Sequence, residues 1–457
     1  MVCRHNGQNV KRLNDMLQAE SLGRAAYYFR HSWAVSWPMI LIMSFDFFIN
    51  LTDVYIAGKI GKEVQASVGF VSQIYFIFIV IANALSIGTV AVVSRFFGAG
   101  SRHELEDSIK TVLASSAVLG LILGIAGITF SPYFMEALAI PVEIKKAGIP
   151  LVRIYAAGLV FHYILISTNA VLRSTKRISR SVMTMAVVCV LNISLNFYFV
   201  FHTPVGFTGI ALSTVCSLAA GCLINLYFIK KIFTQRGYFS ITFLKRIAAI
   251  GWPSGLLQVA WQIGSALLFV IVGMLPQRNI ETLAALTNGL RIEAAIFMPA
   301  FALSQANAVI TGNLLGESKE ITAYRAGLST AVIGVVIITL MTVLVVLNAR
   351  TLSAMLSANS LVIDESVRYL YISMVSEPLM AWAVIQGGGL NGAGDTRGVM
   401  KIVILSQWAV RIPLAYMLGI YFAFGAAAIW WSMNASIAVH AVLITRRYFR
   451  KKWLEHD

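Results

Sequence analysis

Residues 45–61 read FDFFINLTDVYIAGKIG, an apolar run that carries Asp46, Asn50 and Asp53. Spacings of four and three residues put all three on one face of a helix. A carboxylate in such a run can exchange a proton, hold a monovalent cation or attract a cationic solute. Each role requires shelter from hydrocarbon, because an ionised side chain at the bilayer centre costs about 2.5–3.5 kcal/mol even on insertion scales. Burial of this kind favours the neutral carboxyl, which suits proton exchange. Asn192 and Asn196, in LNISLNF, share a second helical face, and Thr214 follows in ALSTV. In the second half, Arg291, Glu293, Glu377 and Arg411 stand in equally apolar surroundings. Arg291 and Glu293 are two apart and cannot face each other on a helix, so Glu377 or a residue of another helix is the expected partner of Arg291. Arg411 is expected to pair with one of the two acids. Each of these residues also has a purely structural reading, as a cap, an interhelical hydrogen bond or an ion pair.

The elements that must position these groups are long and apolar. Of 457 residues, 58% are hydrophobic and 12% charged, against roughly 45–50% and 25% in soluble domains. Twelve runs approach or exceed the ~20 residues a bilayer requires: near 34–57, 66–94, 109–133, 148–172, 182–203, 207–229, 248–274, 284–312, 324–347, 366–390, 398–421 and 423–445. The fold class is therefore all-α integral membrane. The net charge of +16 is explained by position. With the N-terminus inside, 26 Lys and Arg fall on the inner side and eight on the outer, the asymmetry that places both termini in the cytoplasm. A nucleic-acid partner is not expected. The four cysteines, Cys3, Cys189, Cys216 and Cys222, lack metal-ligand spacing and read as small core residues. GLNGAGDT at 389–396 lacks the Lys-Ser/Thr of a phosphate loop, and no nucleophile triad or metal constellation is visible, so neither an enzyme nor a metal or cofactor is expected. Pro38, Pro253, Pro299 and Pro378 are expected to break or bend their helices.

The halves repeat. AVSWPMI at 34–40 returns as AIGWPSG at 249–255, RFFGAGS at 95–101 as NLLGES at 313–318, and GFTGIALS at 206–213 as YFAFGAAAI at 421–429. An even number of helices per repeat gives two lobes of the same orientation, related by a pseudo-twofold along the membrane normal, with a site between them near the midplane. The expected organisation is a cytoplasmic N-terminal segment at 1–33, a six-helix lobe at 34–232, a cytoplasmic linker at 233–247, a second six-helix lobe at 248–446 and a basic cytoplasmic tail at 447–457.

NLTDVYIAGKIG, RFFGAGS, NGLRIEAAIFMPAFALSQA, GLNGAGDT and VRIPLAYML occur in this order. Together with the twelve-span layout they resemble the multidrug and toxic compound extrusion transporters, in particular their DinF-like bacterial branch. The resemblance implies export of amphiphilic, drug-like cations in exchange for protons or sodium, by alternating access in the cell inner membrane. The family's essential acid falls on Asp53, followed by Gly58. Its polar partners fall on Asn192, Asn196 and Thr214, where some relatives carry an acid at the position of Asn196. Asp46 lies outside the family pattern and could replace that missing acid. Glu293 and Glu377 match second-lobe acids of certain relatives loosely. The alternative is a flippase for a lipid-linked sugar, which would need a more cationic cavity, with Arg291 and Arg411 as its candidates. Membrane lipids and a small drug-like molecule are the expected partners, and the chain is expected to be monomeric. Phe45, Tyr55, Tyr75, Gln258, Gln262 and Met298 are candidate cavity linings.

Overall fold

The computed structural model describes residues 3–137, 141–230, 232 and 237–454. Residues 1–2 of the expected N-terminal segment, 233–236 of the linker and 455–457 of the tail lie outside them, and nothing is described of the Cys3 side chain. The elements are helical throughout the described residues. The first lobe contains α1 (Cys3–Ile60), α2 (Lys62–Ala99), α3 (Arg102–Ala137), α4 (Val142–Ser174), α5 (Ile178–His202) and α6 (Gly209–Lys230). The second contains α7 (Ile241–Gly273), α8 (Asn279–Gly316), α9 (Glu320–Leu347), the short α10 (Ala349–Leu356), α11 (Ser360–Ser373), α12 (Glu377–Gly392), α13 (Thr396–Ile404), α14 (Ile412–Tyr416) and α15 (Ala426–Phe449).

Among the described residues, eleven helical segments are long and apolar enough to cross a membrane. The remaining crossing, the tenth in chain order, is built from two pieces. α11 ends in a 3₁₀ turn, Met374–Ser376, and α12 restarts at Glu377 with Pro378 in its first turn. Proline lacks an N–H and suits a helix start. The carbonyls freed by the break find a partner in Asn434, whose Nδ2 donates to the Ile372 oxygen at 2.7 Å. The eleventh crossing, Thr396–Tyr421, joins α13 and α14 through π-helical stretches at Leu405–Arg411 and Met417–Tyr421. The expectation for the prolines holds as a break only at Pro378. Pro38, Pro253 and Pro299 lie inside helices that run on through them, because neighbouring packing tolerates one lost backbone bond.

The repeat is visible as a contact that answers itself. A Cβ on Gly98 would run into the Asn313 carbonyl, and one on Gly316 into the Arg95 carbonyl. Gly98 and Gly316 are 218 residues apart, and so are Arg95 and Asn313, so α2 and α8 meet as a pseudo-twofold pair. Gly88 against the Ile247 carbonyl and Gly251 against the Ala84 carbonyl tighten the neighbouring α2–α7 crossing. Ser32 Oγ donates to the Ala326 carbonyl at 3.1 Å across α1 and α9. These contacts involve the middle of α1, the first turns of α7 and α9 and the last turns of α2 and α8, on the side of the molecule where α15 ends, since Tyr448 Oη donates to the Tyr324 carbonyl of α9 at 3.0 Å. We expect Gly316→Val to destabilise the closed crossing by about 1–3 kcal/mol, the usual cost of overpacking. Gly69→Val is the matched control, since a Cβ there meets nothing within 4 Å. Equal melting of the two variants would contradict the packing argument.

Candidate functional site

Asp53 sits on the stripe of α1 that also buries Ile56 and Ala57, and is 9% exposed. α5 and α6 form a tight hairpin beside it, because Gly209 lets α6 start against Phe199 and Val200. That close approach brings Asn192, Asn196 and Thr214 together. Asn196 Nδ2 donates to Asp53 Oδ1 at 2.6 Å and to Asn192 Oδ1 at 3.2 Å. Asn192 Nδ2 donates to Thr214 Oγ1 at 3.1 Å. Thr214 Oγ1 approaches Asp53 Oδ2 at 3.4 Å and donates to the Ile210 carbonyl at 3.1 Å. The four side chains close a ring, with Tyr155 against Thr214 on its rim. Asn196 Oδ1 is buried without a partner. A buried acceptor left open beside a carboxylate is a place for a proton donor or a small cation.

The other residues of the opening stripe behave differently. Asn50 is exposed, and its Nδ2 caps the Asp46 backbone carbonyl at 2.8 Å. Asp46 is partly exposed and lies about 10 Å along the helix axis from Asp53, two turns away. The charge acting on it is Arg173, one of the 26 Lys and Arg of the inner side. Arg173 is in fact buried in the last turn of α4 at 5% exposure. Its Nε donates to the Asn169 carbonyl at 3.2 Å and its Nη2 to Ser86 Oγ at 3.5 Å. Asn169 Oδ1 in turn accepts from Ser181 Oγ and Asn225 Nδ2, both at 2.8 Å. The first lobe therefore holds two polar layers, the Asp53 ring and the Arg173 layer, with Asp46 between them.

In the second lobe the structure gathers Glu293 of α8, Glu377 at the start of α12 and Arg411 in the π stretch, with Tyr369 and Ser373 of α11 facing Glu293. Arg411 Nε donates to Ser436 Oγ at 2.9 Å, and its guanidinium lies 5.2 Å from the Trp261 ring centroid. Glu377 also benefits from the N-terminal dipole of α12. One oxygen of each acid, Glu293 Oε1 and Glu377 Oε2, is buried without a partner. Of the partners expected for Arg291, Glu377 or a residue of another helix, Glu377 lies instead beside Arg411. Arg291 is exposed, because two residues of helix carry it well round from Glu293 and out of the cluster. Tyr75 lines a mostly apolar cavity of about 280 Å³ between α2, α3 and α4. Its hydroxyl bonds His162 Nδ1 at 2.7 Å inside the first lobe.

On the side where α15 ends, an ion pair ties the lobes. Lys176 Nζ, in the α4–α5 turn, donates to Glu317 Oε1 at 2.9 Å, and Lys319 Nζ to Oε2 at 2.8 Å. The hydrogen bond from Lys319, then that from Lys176, holds the Glu317 carboxyl below its usual range. A depressed carboxyl value stabilises the fold above the unfolded value of about 4.3 and loses that contribution as pH falls through the folded one. The pair is largely solvated, so the effect is within about 1 kcal/mol. Melting curves of Glu317→Gln and wild type should differ slightly at neutral pH and converge as pH falls through the lowered Glu317 value. A gap that persists in acid would contradict this.

Membrane-crossing segments in two pseudo-symmetric lobes, each enclosing buried ionisable groups, define a two-lobe, multi-pass membrane transporter. The chain belongs to the MatE family, whose model matches residues 38–198 and again 253–417, once in each half. It is similar to "Uncharacterized transporter YisQ" of Bacillus subtilis, 23% identical over 437 residues covering 93% of this chain and 94% of that protein. It is also similar to "Probable multidrug resistance protein NorM" of Mesorhizobium japonicum, 25% identical over 446 residues, 92% and 94% of the two chains. Among solved structures, it matches an outward-facing multidrug resistance MATE family transporter of the MOP superfamily with a TM-score of 0.86 at 20% identity, covering 94% and 97%. That likeness shows the fold.

Proposed function

We propose that the protein is a secondary antiporter that exports amphiphilic organic cations in exchange for protons or sodium, acting as a monomer in the cell inner membrane with both termini in the cytoplasm. The observation that carries the reading is the Asp53 ring. It places a carboxylate inside a lobe, bonded to Asn196 and Thr214 but with an open acceptor beside it. Such a group changes state when a proton or cation arrives, and α1, α5 and α6 repack around that change. The close lobe contacts lie on the side where α15 ends, so with that side cytoplasmic the conformation is closed inward. Loading the coupling ion on Asp53 from outside and releasing it inside then drives the opposite movement of a cationic solute between the lobes. One of the two named relatives, that of Mesorhizobium japonicum, is described as a probable multidrug resistance protein, which supports a drug-like substrate class.

The flippase alternative asks for excess positive charge in the cavity. Arg411 has Glu293 and Glu377 around it, so its charge is offset, which favours the cation exporter. The experiment is efflux of a fluorescent organic cation from vesicles holding the purified protein, with proton and sodium gradients imposed separately. Efflux should follow one gradient and collapse with it. Efflux indifferent to both would overturn the antiport reading.

A further inference from the structure

The pseudo-twofold offset of 218 residues carries Lys176 onto Gly394, Ser318 onto Gly100 and Glu317 onto Ala99. The backbone obeys the same symmetry, since all four turn residues, Lys176, Gly394, Ser318 and Gly100, have positive φ, at 56°, 92°, 56° and 70°. The side chains do not. On one flank of the axis, Lys176 and Glu317 join the lobes at 2.9 Å. On the related flank, glycine and alanine have no charge to offer, and a cavity of about 400 Å³ stands in place of the ion pair.

This cavity is basic. Arg95 of α2 enters it from the first lobe, and Arg246 of α7 and Arg397 of α13 from the second, with Gly312 and Gly394 making room. Arg246 is held in place by its guanidinium lying 5.8 Å from the Phe96 ring centroid. The one acid in the lining, Asp395, is already engaged, since Arg447 Nε and Nη2 donate to its two oxygens at 2.5 and 2.7 Å. Because Asp395 is occupied, its side chain does not cap α13, and the first-turn N–H groups of that helix remain available to an anion.

We propose that this cavity is an anion site for a phosphate-bearing ligand, which ties the lobes on the flank that has no ion pair of its own. A phosphoryl oxygen set matches the guanidinium forks of Arg246 and Arg397, and basic pockets between membrane helices receive anionic headgroups. The site is separate from the Asp53 ring, so its test needs no transport. The purified protein in detergent is titrated with soluble short-chain phosphatidylglycerol, with inorganic phosphate and with the matching phosphatidylcholine, following tryptophan fluorescence and the melting temperature. Arg246→Gln/Arg397→Gln is compared with Arg246→Lys/Arg397→Lys, and both arginines are exposed, so the fold is not at stake.

We expect saturable binding of an anionic probe that raises the melting temperature. The glutamine pair should weaken it about a hundredfold, since a charge-assisted hydrogen bond contributes about 1.5–3 kcal/mol and 1.4 kcal/mol is tenfold. The lysine pair should retain most of it. Phosphatidylglycerol alone binding assigns a lipid headgroup, and inorganic phosphate binding assigns a free phosphate ligand. Equal response to phosphatidylcholine, no response to either anionic probe, or unchanged binding by the glutamine pair overturns the proposal.

Discussion

Asp53→Asn is expected to reduce gradient-driven export to the leak of empty vesicles while leaving the protein folded. Asparagine keeps the size and one acceptor, so the 2.6 Å bond from Asn196 Nδ2 can re-form on the amide oxygen. What is lost is the charge. With no carboxylate, the ring cannot distinguish a loaded from an empty coupling ion, and a ligand that binds two states equally shifts neither. Asp46→Asn should be milder, since Asp46 is partly exposed and two turns from the ring. Efflux from vesicles at matched protein level, with the melting temperature as the folding control, reads both. Full coupled export by Asp53→Asn would move the coupling site to Asp46 or the second-lobe acids.

The second large effect is one of stability. Arg411 is 8% exposed, with Glu293 and Glu377 near it and one oxygen of each acid unpaired. Arg411→Met fills the space but leaves two buried carboxyl groups without the cation near them, and an uncompensated buried charge costs up to about 3–5 kcal/mol. We expect poor yield and a much lower melting temperature, partly restored by adding Glu293→Gln and Glu377→Gln. Glu293→Gln alone should destabilise without uncoupling transport. A stable Arg411→Met protein would remove the ion cluster from the stability account, and an uncoupled but well-folded Glu293→Gln protein would place coupling in the second lobe.

Much of this was legible in the sequence, because membrane crossings and repeats are written in composition and spacing. Asp53, Asn192, Asn196 and Thr214 were named from their helical faces and from the family resemblance, and the structure joins all four. Arg173 was missed because a basic residue at a helix end looks like a loop anchor. Its burial depends on Ser86 and Asn169, whose nearness no spacing reveals. Arg291 and Arg411 look alike as lone cations in apolar runs. Only packing separates them, sending one outward and folding the other, through a π stretch, towards two acids. The unequal flanks of the pseudo-twofold were equally hidden, since Lys176 and Glu317 are distant in sequence and meet only when α2 and α8 cross.

The most direct test of the central claim is equilibrium binding of the organic cation to detergent-solubilised wild type and Asp53→Asn, over a series of proton and sodium concentrations. If Asp53 exchanges coupling ion for substrate, wild-type affinity should weaken as the coupling ion rises, and the variant should be indifferent to it. The same ion dependence in both proteins would contradict the account.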